Sequence, residues 1–479
     1  MLFNSFQFLV FLPIVFALYW FVFKNRRWQN LLVVVVSYVF YGWWDWRFLG
    51  LIALTSLCSY ASGILIERFD GRRRQQRLVS AANIILNLGI LCYFKYANFF
   101  VENLDLLLQS LFGYRLDWVA SEIILPVGIS FYTFQALSYT IDVYRGNIRA
   151  THDIVEFFAF ISFFPQLVAG PIERATHLLP QFQRDRHFDY TQAVDGLRQM
   201  LWGFVKKIVV ADRCASDVNA LWGHYEEMSG LSLLLVGVLF AFQIYCDFSG
   251  YSDIAIGCAR LFGINLMRNF NYPYFARNIR EFWQRWHISL TTWFRDYVYI
   301  PLGGNRCKWP RVALNVLVVW AISGLWHGAK WTFVCWGLFH AVLLISYRLL
   351  SKRDKTPREH SRPVATVIAI AQTLFTFLLV VVGWIFFRAE SMPQACDFLS
   401  HMATNFFSYT PMDFGKYNLT LCGMVMLFEW LQRDKQHALQ LDGVALFRHS
   451  YMRYALYLAL LALILFGAGR VQTFIYFQF

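Results

Sequence analysis

The stretch VALNVLVVWAISGLWHGAKWTFVCWGLFHAVLL, residues 312–344, decides the fold class of this chain. It consists of two apolar runs, 312–325 and 331–344, and neither run contains a charged side chain. With their flanks, both approach the roughly 20 residues that a helix needs to cross a bilayer. His327 lies just after the first run ends. A titratable side chain is costly at membrane depth, so this histidine is a candidate functional residue.

The composition extends this interpretation to the whole chain. Of its 479 residues, 58% are hydrophobic and only 15% are charged, whereas about 25% are charged in a soluble domain. Further apolar runs that could cross a membrane lie at 6–23, 31–44, 231–246, 364–387 and 454–469. We therefore predict an all-α, polytopic integral membrane protein surrounded by lipid. We expect about ten to twelve transmembrane helices, with shorter re-entrant segments.

The net charge of +13 is concentrated in short loops. The basic loops are residues 24–27, 67–77 and 351–362. Short basic loops stay cytoplasmic, so this distribution indicates membrane orientation and argues against a nucleic-acid partner. The more acidic loop at 101–121 is then expected outside. Both termini are expected on the periplasmic side.

We expect a single membrane domain, residues 1–479, whose parts differ in character. Residues 1–66 form regular apolar spans, whereas residues 125–340 are interrupted by charges, prolines and glycines and form the predicted catalytic core. Irregular polar backbone survives at membrane depth only inside protein or beside a water-filled cavity, so this core should enclose a polar chamber. The nine cysteines are scattered without a CxxC pair, so we expect neither a disulfide framework nor a metal site.

The stretch REFWQRWHISLTTWFRDYVYIPLGGNR, residues 280–306, has the densest mixture of charged and aromatic side chains. An amphipathic helix lying in the membrane interface would explain its tryptophans and arginines. It explains less well why His287 and Asp296 lie so close together in the sequence. The turn at its end offers backbone donors and a basic side chain, which suit a phosphate-bearing ligand. Asn305 and Arg306 are therefore candidate substrate-binding residues, together with Asp296.

The remaining titratable residues of the apolar regions have structural alternatives. His327 could equally be a structural histidine bonded to a carbonyl, and for His340 that alternative is favoured. Asp247 and Asp253, in CDFSGYSD, are costly near a membrane core. We expect these two carboxylates to form ion pairs with arginines of the 277–295 region.

Several stretches together resemble the membrane-bound O-acyltransferase family. The resemblance spans most of the chain and implies a helical fold around a central tunnel through the bilayer. It implies that His327 matches the family's essential histidine and that His287 matches a second, more variable position. The stretches are FWQRWHISLTTWFRDYVYIPLGGNR, SGLWHGAKWTFVCWGLFH, QIYCDFSGYSDIAIG, PVGISFYTFQALSYTIDVYRG, FFPQLVAGPIER, the opening MLFNSFQFLVFLPIVFALYW and the closing FIYFQF.

The resemblance also implies an activity, the transfer of acyl groups from cytoplasmic thioesters to hydroxyls. In the polysaccharide-modifying bacterial branch, acetyl passes through the inner membrane to a periplasmic partner acetyltransferase, which modifies a secreted polysaccharide. Acetyl-coenzyme A is then the expected donor, used as a substrate, and no bound cofactor is implied. Transfer of D-alanine from a carrier protein to a cell-wall polymer is the alternative within the family. A transporter is the alternative outside it, although the internal duplication expected of one is not seen.

The chemistry assigns roles to the two histidines. Attack of a hydroxyl on a thioester needs a base, and a positioned histidine contributes about 10² to 10⁴ in rate. We expect His327 to be that base and His287 to orient a substrate. Trp326, next to the base, is a further candidate substrate contact. No Gly-x-Ser-x-Gly motif occurs, so a serine-bound intermediate is not indicated.

Overall fold

The protein is described from a computed structural model covering residues 1–116, 123–353, 361–408, 416–467 and 472–475. Within those ranges it consists of helices joined by turns and contains no strand. The α-helices are α1 (Phe6–Ala17), α2 (Arg26–Gly42), α3 (Leu49–Arg68), α4 (Arg73–Phe112), α5 (Ile129–Arg145), α6 (Ile154–Ser162), α7 (Phe164–Leu167), α8 (Ala175–Phe182), α9 (Tyr190–Phe204), α10 (Asp212–Trp222), α11 (Gly230–Leu261), α12 (Ile279–Arg285), α13 (Ile288–Phe294), α14 (Trp309–His327), α15 (Trp331–Arg353), α16 (Arg362–Arg388), α17 (Met392–Thr404), α18 (Lys416–Leu431) and α19 (Ser450–Gly467).

Short helical turns of other kinds extend or connect these helices. Three are π-helical, and each continues the α-helix before it: Leu18–Val22, Val205–Ala211 and Arg295–Tyr299. The 3-10 turns are Trp46–Phe48, Tyr225–Glu227, Pro273–Phe275 and Ala445–Arg448. π-Helical turns are rare and are frequently found at functional sites.

The prediction of an all-α membrane protein with many spans is confirmed. Among the described residues, seven helices are long and apolar enough to cross a membrane: Trp46–Arg68, Arg73–Phe112, Gly230–Leu261, Trp309–His327, Trp331–Ser351, Arg362–Arg388 and Ser450–Gly467. This number is below the ten to twelve expected. One reason is that Phe6–Val22 and Tyr417–Leu431 are apolar but shorter than a full span.

The chain divides into two compact units. The first consists of Met1–Gly196 with Ala255–Met267, and the second of Leu197–Ile254 with Arg268–Phe479. The predicted catalytic core, 125–340, contributes residues to both units. The expectation of a single membrane domain, residues 1–479, and that of a central tunnel stay predictions.

In the first unit, buried polar side chains join α3, α4 and α5. The amide of Asn83 donates to the hydroxyls of Thr140, at 2.7 Å, and of Ser59, at 3.3 Å. Ser62 and Thr140 are also hydrogen-bonded, at 3.1 Å. Interhelical hydrogen bonds and small residues hold helices together where lipid removes the hydrophobic driving force. These contacts explain why spans in the region 1–145 contain polar residues on their inner faces.

In the second unit, α14 and α15 form a hairpin whose backbones touch. A Cβ atom at Gly324 would overlap the carbonyl of Phe333, and one at Gly337 would overlap the carbonyl of Trp320. Only glycine at both positions permits so close an approach. The hairpin therefore fixes the last residue of α14, which is His327.

Two adjacent lysines are buried in the π-helical turn between α9 and α10. Lys206 is 3% exposed and Lys207 is 5% exposed. The Lys206 ammonium lies 2.6 Å from a carboxylate oxygen of Asp253. The Lys207 ammonium lies 2.7 Å from Asp247 and 2.8 Å from Asp212. The two lysines thus neutralise carboxylates that α10 and α11 bring into the interior.

These ion pairs correct one sequence prediction. The expected pairing of Asp247 and Asp253 with arginines of the 277–295 region is wrong. The lysines take that place because the π-helical turn directs both of them into the protein interior. A π-helical turn has no simple sequence signature, so the partners could not be read from hydropathy.

Candidate active site

His327 ends α14 and lies inside an aromatic enclosure. Its side chain is 3% exposed. Its ring is packed edge-on against Trp326 and Trp336, with centroids 5.0 Å away in both cases, and against Phe387 at 5.5 Å. These rings exclude water from the imidazole, which strengthens any electrostatic contact it makes with a substrate.

His287 lies at the corner between α12 and α13, outside the candidate spans. It has a left-handed backbone conformation, with φ 43° and ψ 52°. Such a conformation is uncommon for a residue other than glycine and occurs mostly where surrounding contacts impose it. Burial lowers the pKa of His287 to about 3. The ring is therefore neutral at physiological pH, because a buried environment disfavours the imidazolium.

The fold brings the two histidines together although 40 residues separate them in sequence. Their ring centroids are 6.4 Å apart, with the planes inclined at 62°. The Trp326 ring lies 6.1 Å from His287 and directly contacts His327. Two imidazoles and an indole therefore share one small region of the second unit.

Asn269 is a member of this group that the sequence did not single out. It is fully buried, and its side-chain oxygen lies 3.1 Å from Nδ1 of His287. The same oxygen accepts hydrogen bonds from the backbone N–H and the hydroxyl of Ser289. Neutral asparagines are common in loops, and the neighbouring residues RNFNYPYF show no periodicity that would have marked this one.

Phenylalanine rings complete the surroundings of His287. The ring of Phe248 packs edge-on against it at 4.6 Å, and the ring of Phe270 is stacked at 6.4 Å. Phe248 belongs to α11, Phe270 to the segment after it and Trp326 to α14. Three separate parts of the second unit therefore surround this histidine. Its position is therefore determined by packing as well as by hydrogen bonding.

The other predicted site residues have local partners. Asp296 forms an ion pair with Arg295, with Nε and Oδ1 2.7 Å apart. The exposed Asn305 accepts hydrogen bonds from the Tyr299 hydroxyl, at 2.8 Å, and from the Arg348 guanidinium, at 2.6 Å. Arg306 is exposed in the same turn. Substrate binding by Asp296, Asn305 and Arg306 stays a prediction.

Residues 38–387 match the model of the membrane-bound O-acyltransferase family. The chain belongs to this family. It is therefore an O-acyltransferase and a multi-pass membrane protein. This membership argues against the alternative that the protein is a transporter. The resemblance inferred from the motifs is confirmed.

Three curated relatives show which acyltransferases this chain is similar to. It is 41% identical to the probable alginate O-acetylase of Azotobacter vinelandii, over 88% of this chain and 81% of that protein. It is 30% identical to the peptidoglycan O-acetyltransferase of Helicobacter pylori, over 100% and 98% of the two chains. The teichoic acid D-alanyltransferase of Bacillus subtilis is 28% identical over 55% and 69%.

A third buried histidine of this acyltransferase packs among tryptophans. His340, on α15, is fully buried, and the indole N–H of Trp283 donates to its Nδ1 at 3.4 Å. Its ring also packs against Trp336 at 5.1 Å. Trp336 contacts His327 as well. His340 therefore packs against the same tryptophan as His327, and the structural role expected for it stays a prediction.

Proposed function

We propose that this acyltransferase moves acetyl groups from a cytoplasmic thioester donor across the membrane for O-acetylation of a secreted polysaccharide. The observation that carries the proposal is the pair of buried histidines, with ring centroids 6.4 Å apart, in a unit that contains several candidate membrane spans. The 41% identity to an alginate O-acetylase supports a polysaccharide as the final acceptor. The peptidoglycan O-acetyltransferase relative supports the same class of acceptor.

His327 acts as the general base in this mechanism. It takes the proton from the attacking hydroxyl while the oxygen bonds to the thioester carbonyl carbon. The tetrahedral intermediate then expels the thiolate, and the imidazolium returns the proton to that sulfur. The products are an ester and a free thiol, so no proton is gained or lost overall. His287 orients one of the substrates beside this base.

The finer assignments also belong to the proposal. The donor is acetyl-coenzyme A, used as a substrate. Asn305 and Arg306 hold the donor at the cytoplasmic mouth, and Trp326 and Asp296 contribute further contacts. The protein lies in the bacterial inner membrane with both termini in the periplasm. A periplasmic acetyltransferase receives the acetyl group and delivers it to the polymer.

D-alanyl transfer from a carrier protein is the second candidate function. It is favoured by the relationship to a teichoic acid D-alanyltransferase, which is 28% identical over 55% of this chain. The same base chemistry would serve an alanyl thioester. The lower identity and coverage make this the weaker candidate.

The first test measures acetyl transfer by purified protein in nanodiscs. Wild type is mixed with radiolabelled acetyl-coenzyme A, with and without a candidate acceptor, and release of coenzyme A is followed. We expect His327→Ala to lower turnover by about 10² or more, because the base is lost. His187→Ala, which changes an exposed histidine, is the control and should retain turnover.

Melting temperatures decide how the result is interpreted. Lost turnover in a variant that melts like wild type supports His327 as the base. Equal turnover in wild type and His327→Ala removes it from that role. Turnover with a D-alanyl carrier protein, and none with acetyl-coenzyme A, would favour the second candidate function.

A further inference from the structure

The corner that carries His287 is held by the backbone of residues 269–271. The Ile288 N–H donates to the carbonyl of Asn269 at 2.9 Å, and the Asn271 N–H donates to the carbonyl of Arg285 at 2.9 Å. These two hydrogen bonds clamp the corner on both sides of the histidine. They supply the contacts that an unfavourable left-handed backbone conformation requires.

The side chain of Asn269 adds a third connection, and its orientation can be assigned from its partners. One terminal atom of this amide lies 3.3 Å from the backbone N–H of Ser289 and 2.9 Å from the Ser289 hydroxyl. A backbone N–H can only donate, so that atom must be the amide oxygen. The amide nitrogen then points to the Ser252 hydroxyl, at 3.2 Å. The chemistry of the partners thus excludes the flipped orientation.

The orientation of Asn269 determines which nitrogen of His287 carries the proton. Its oxygen lies 3.1 Å from Nδ1 of the imidazole. An oxygen acceptor at that distance requires Nδ1 to be protonated. A neutral imidazole has one N–H, so Nε2 then has the lone pair.

We propose that Asn269 is a positioning residue that holds His287 as the Nδ1–H tautomer, so that His287 meets the substrate only as a hydrogen-bond acceptor. The acceptor is Nε2, and its partner is a hydroxyl of the acyl acceptor or an amide N–H of the acyl donor. His287 then cannot donate a hydrogen bond to the oxyanion that develops on the thioester carbonyl. This inference rests on the proposed function and gives His287 a defined part in it.

The proposal can be tested directly by nitrogen-15 NMR of histidine-labelled protein in nanodiscs. The His287 signals are identified as those lost in His287→Gln. We expect a protonated Nδ1 and an unprotonated Nε2 at neutral pH. The opposite pattern would overturn the proposal. This readout does not require turnover, so it separates the tautomer from the identity of the acyl donor.

Variants of Asn269 test the same point through the pH profile of kcat/KM. Asn269→Asp keeps an oxygen acceptor and adds a negative charge, which stabilises the imidazolium of His287. A protonated His287 cannot accept, so we expect a new loss of activity as the pH falls below about 6 to 7, with activity largely retained above it. Asn269→Ala removes the acceptor and leaves a buried N–H of His287 unsatisfied, so we expect turnover about 10 to 100-fold lower at every pH.

Ser252→Ala provides the matched control. It removes the partner of the Asn269 amide nitrogen but leaves the contact between the oxygen and His287. We expect its pH profile to follow wild type. If Asn269 is only a structural brace, both Asn269 variants will lose thermal stability and turnover together, and neither will change the pH profile. That outcome in an active wild type would overturn the proposal while leaving acetyl transfer standing. An inactive wild type showing the expected tautomer would instead count against the proposed function.

Discussion

Lys207 illustrates how an interior charge is tolerated in this protein. Its ammonium lies 2.7 Å from Asp247 and 2.8 Å from Asp212, and its side chain is 6% exposed. Its ammonium also donates to the carbonyl of Gln472 at 3.3 Å. Removing one member of a buried pair leaves the other charge uncompensated, which costs about 3 to 5 kcal/mol.

We therefore predict that Lys207→Met strongly destabilises the protein. The expected result is a melting temperature in detergent lowered by many degrees, because two carboxylates lose their counter-ion. Lys435→Met, which changes an exposed lysine, should melt within a degree or two of wild type, because surface substitutions usually change stability by less than about 0.5 kcal/mol.

A double variant shows whether the charge is the cause. Lys207→Met with Asp247→Asn removes one cation and one anion, so it should melt above Lys207→Met alone. If both variants melt at the same temperature, loss of packing around the lysine stem explains the effect instead.

At this scale the sequence identified some members of the site and missed others. His327 and His287 could be found because a titratable side chain at the end of an apolar run, or among tryptophans, is unusual. Asn269 could not be found, since its importance comes from a hydrogen bond to a residue 18 positions later. The lysine partners of Asp247 and Asp253 depended on a helical turn that hydropathy does not reveal.

Among the elements, the hairpin of α14 and α15 determines where His327 lies. A methyl group at Gly337 would overlap the Trp320 carbonyl, which belongs to the backbone and cannot rotate away. Overpacking of this kind costs about 1 to 3 kcal/mol. We predict that Gly337→Ala separates the two helices, lowers the melting temperature by several degrees and reduces acetyl turnover.

The same substitution on another helix is the control for this prediction. A Cβ at Gly423, on α18, would meet no atom within 4 Å. Alanine is preferred over glycine in a helix by up to about 1 kcal/mol, so Gly423→Ala should keep or raise stability and turnover. A Gly337→Ala protein as stable and active as Gly423→Ala would contradict the close approach of the two helices.

The helices themselves were largely predictable from apolar runs, and their ends were less so. The run at 454–469 corresponds to α19, which is Ser450–Gly467. The run at 231–246 corresponds to α11, but this helix continues to Leu261 through CDFSGYSD. A hydropathy scale ends the span at Asp247 because it counts the carboxylate as an unpaired charge. The helix continues because Lys206 and Lys207 compensate the two carboxylates.

For the whole molecule, orientation in the membrane is the main untested prediction. Helix α4 has 40 residues and is therefore about 60 Å long, twice the roughly 30 Å hydrocarbon core of a bilayer. Its two ends must project from the membrane. The basic end near Arg74 is expected in the cytoplasm and the end near Ser110 outside, and both residues are exposed.

We predict that single cysteines at these two positions label from opposite sides. In a background with Cys92→Ser and Cys396→Ser, a membrane-impermeant maleimide should label Ser110→Cys in spheroplasts and Arg74→Cys in inverted vesicles. Labelling of both sites in detergent shows that each cysteine is reactive. The reverse pattern would contradict the orientation derived from the basic loops.

The presence of many spans was predictable from composition, because a chain with so few charged residues cannot cover its surface with polar side chains in water. The number of spans was less predictable. A segment such as α5 is almost long enough to cross a membrane, but it carries buried polar side chains that lower its hydropathy. The division into two compact units left no signal in the sequence. It depends on contacts between residues far apart in the chain.

The π-helical turn at Val205–Ala211 also fixes the rotational register of the next helix, α10. An α-helix advances by about 100° per residue, and a π-helical turn accommodates one extra residue within an otherwise regular helix. Lys207 and Asp212 are five residues apart in the sequence. A π-helical turn brings residues at that spacing onto one face, because its hydrogen bonds join residue i to residue i+5. In a regular α-helix the same spacing would turn Asp212 about 140° away from Lys207. The buried ion pair therefore depends on the π-helical geometry of these seven residues.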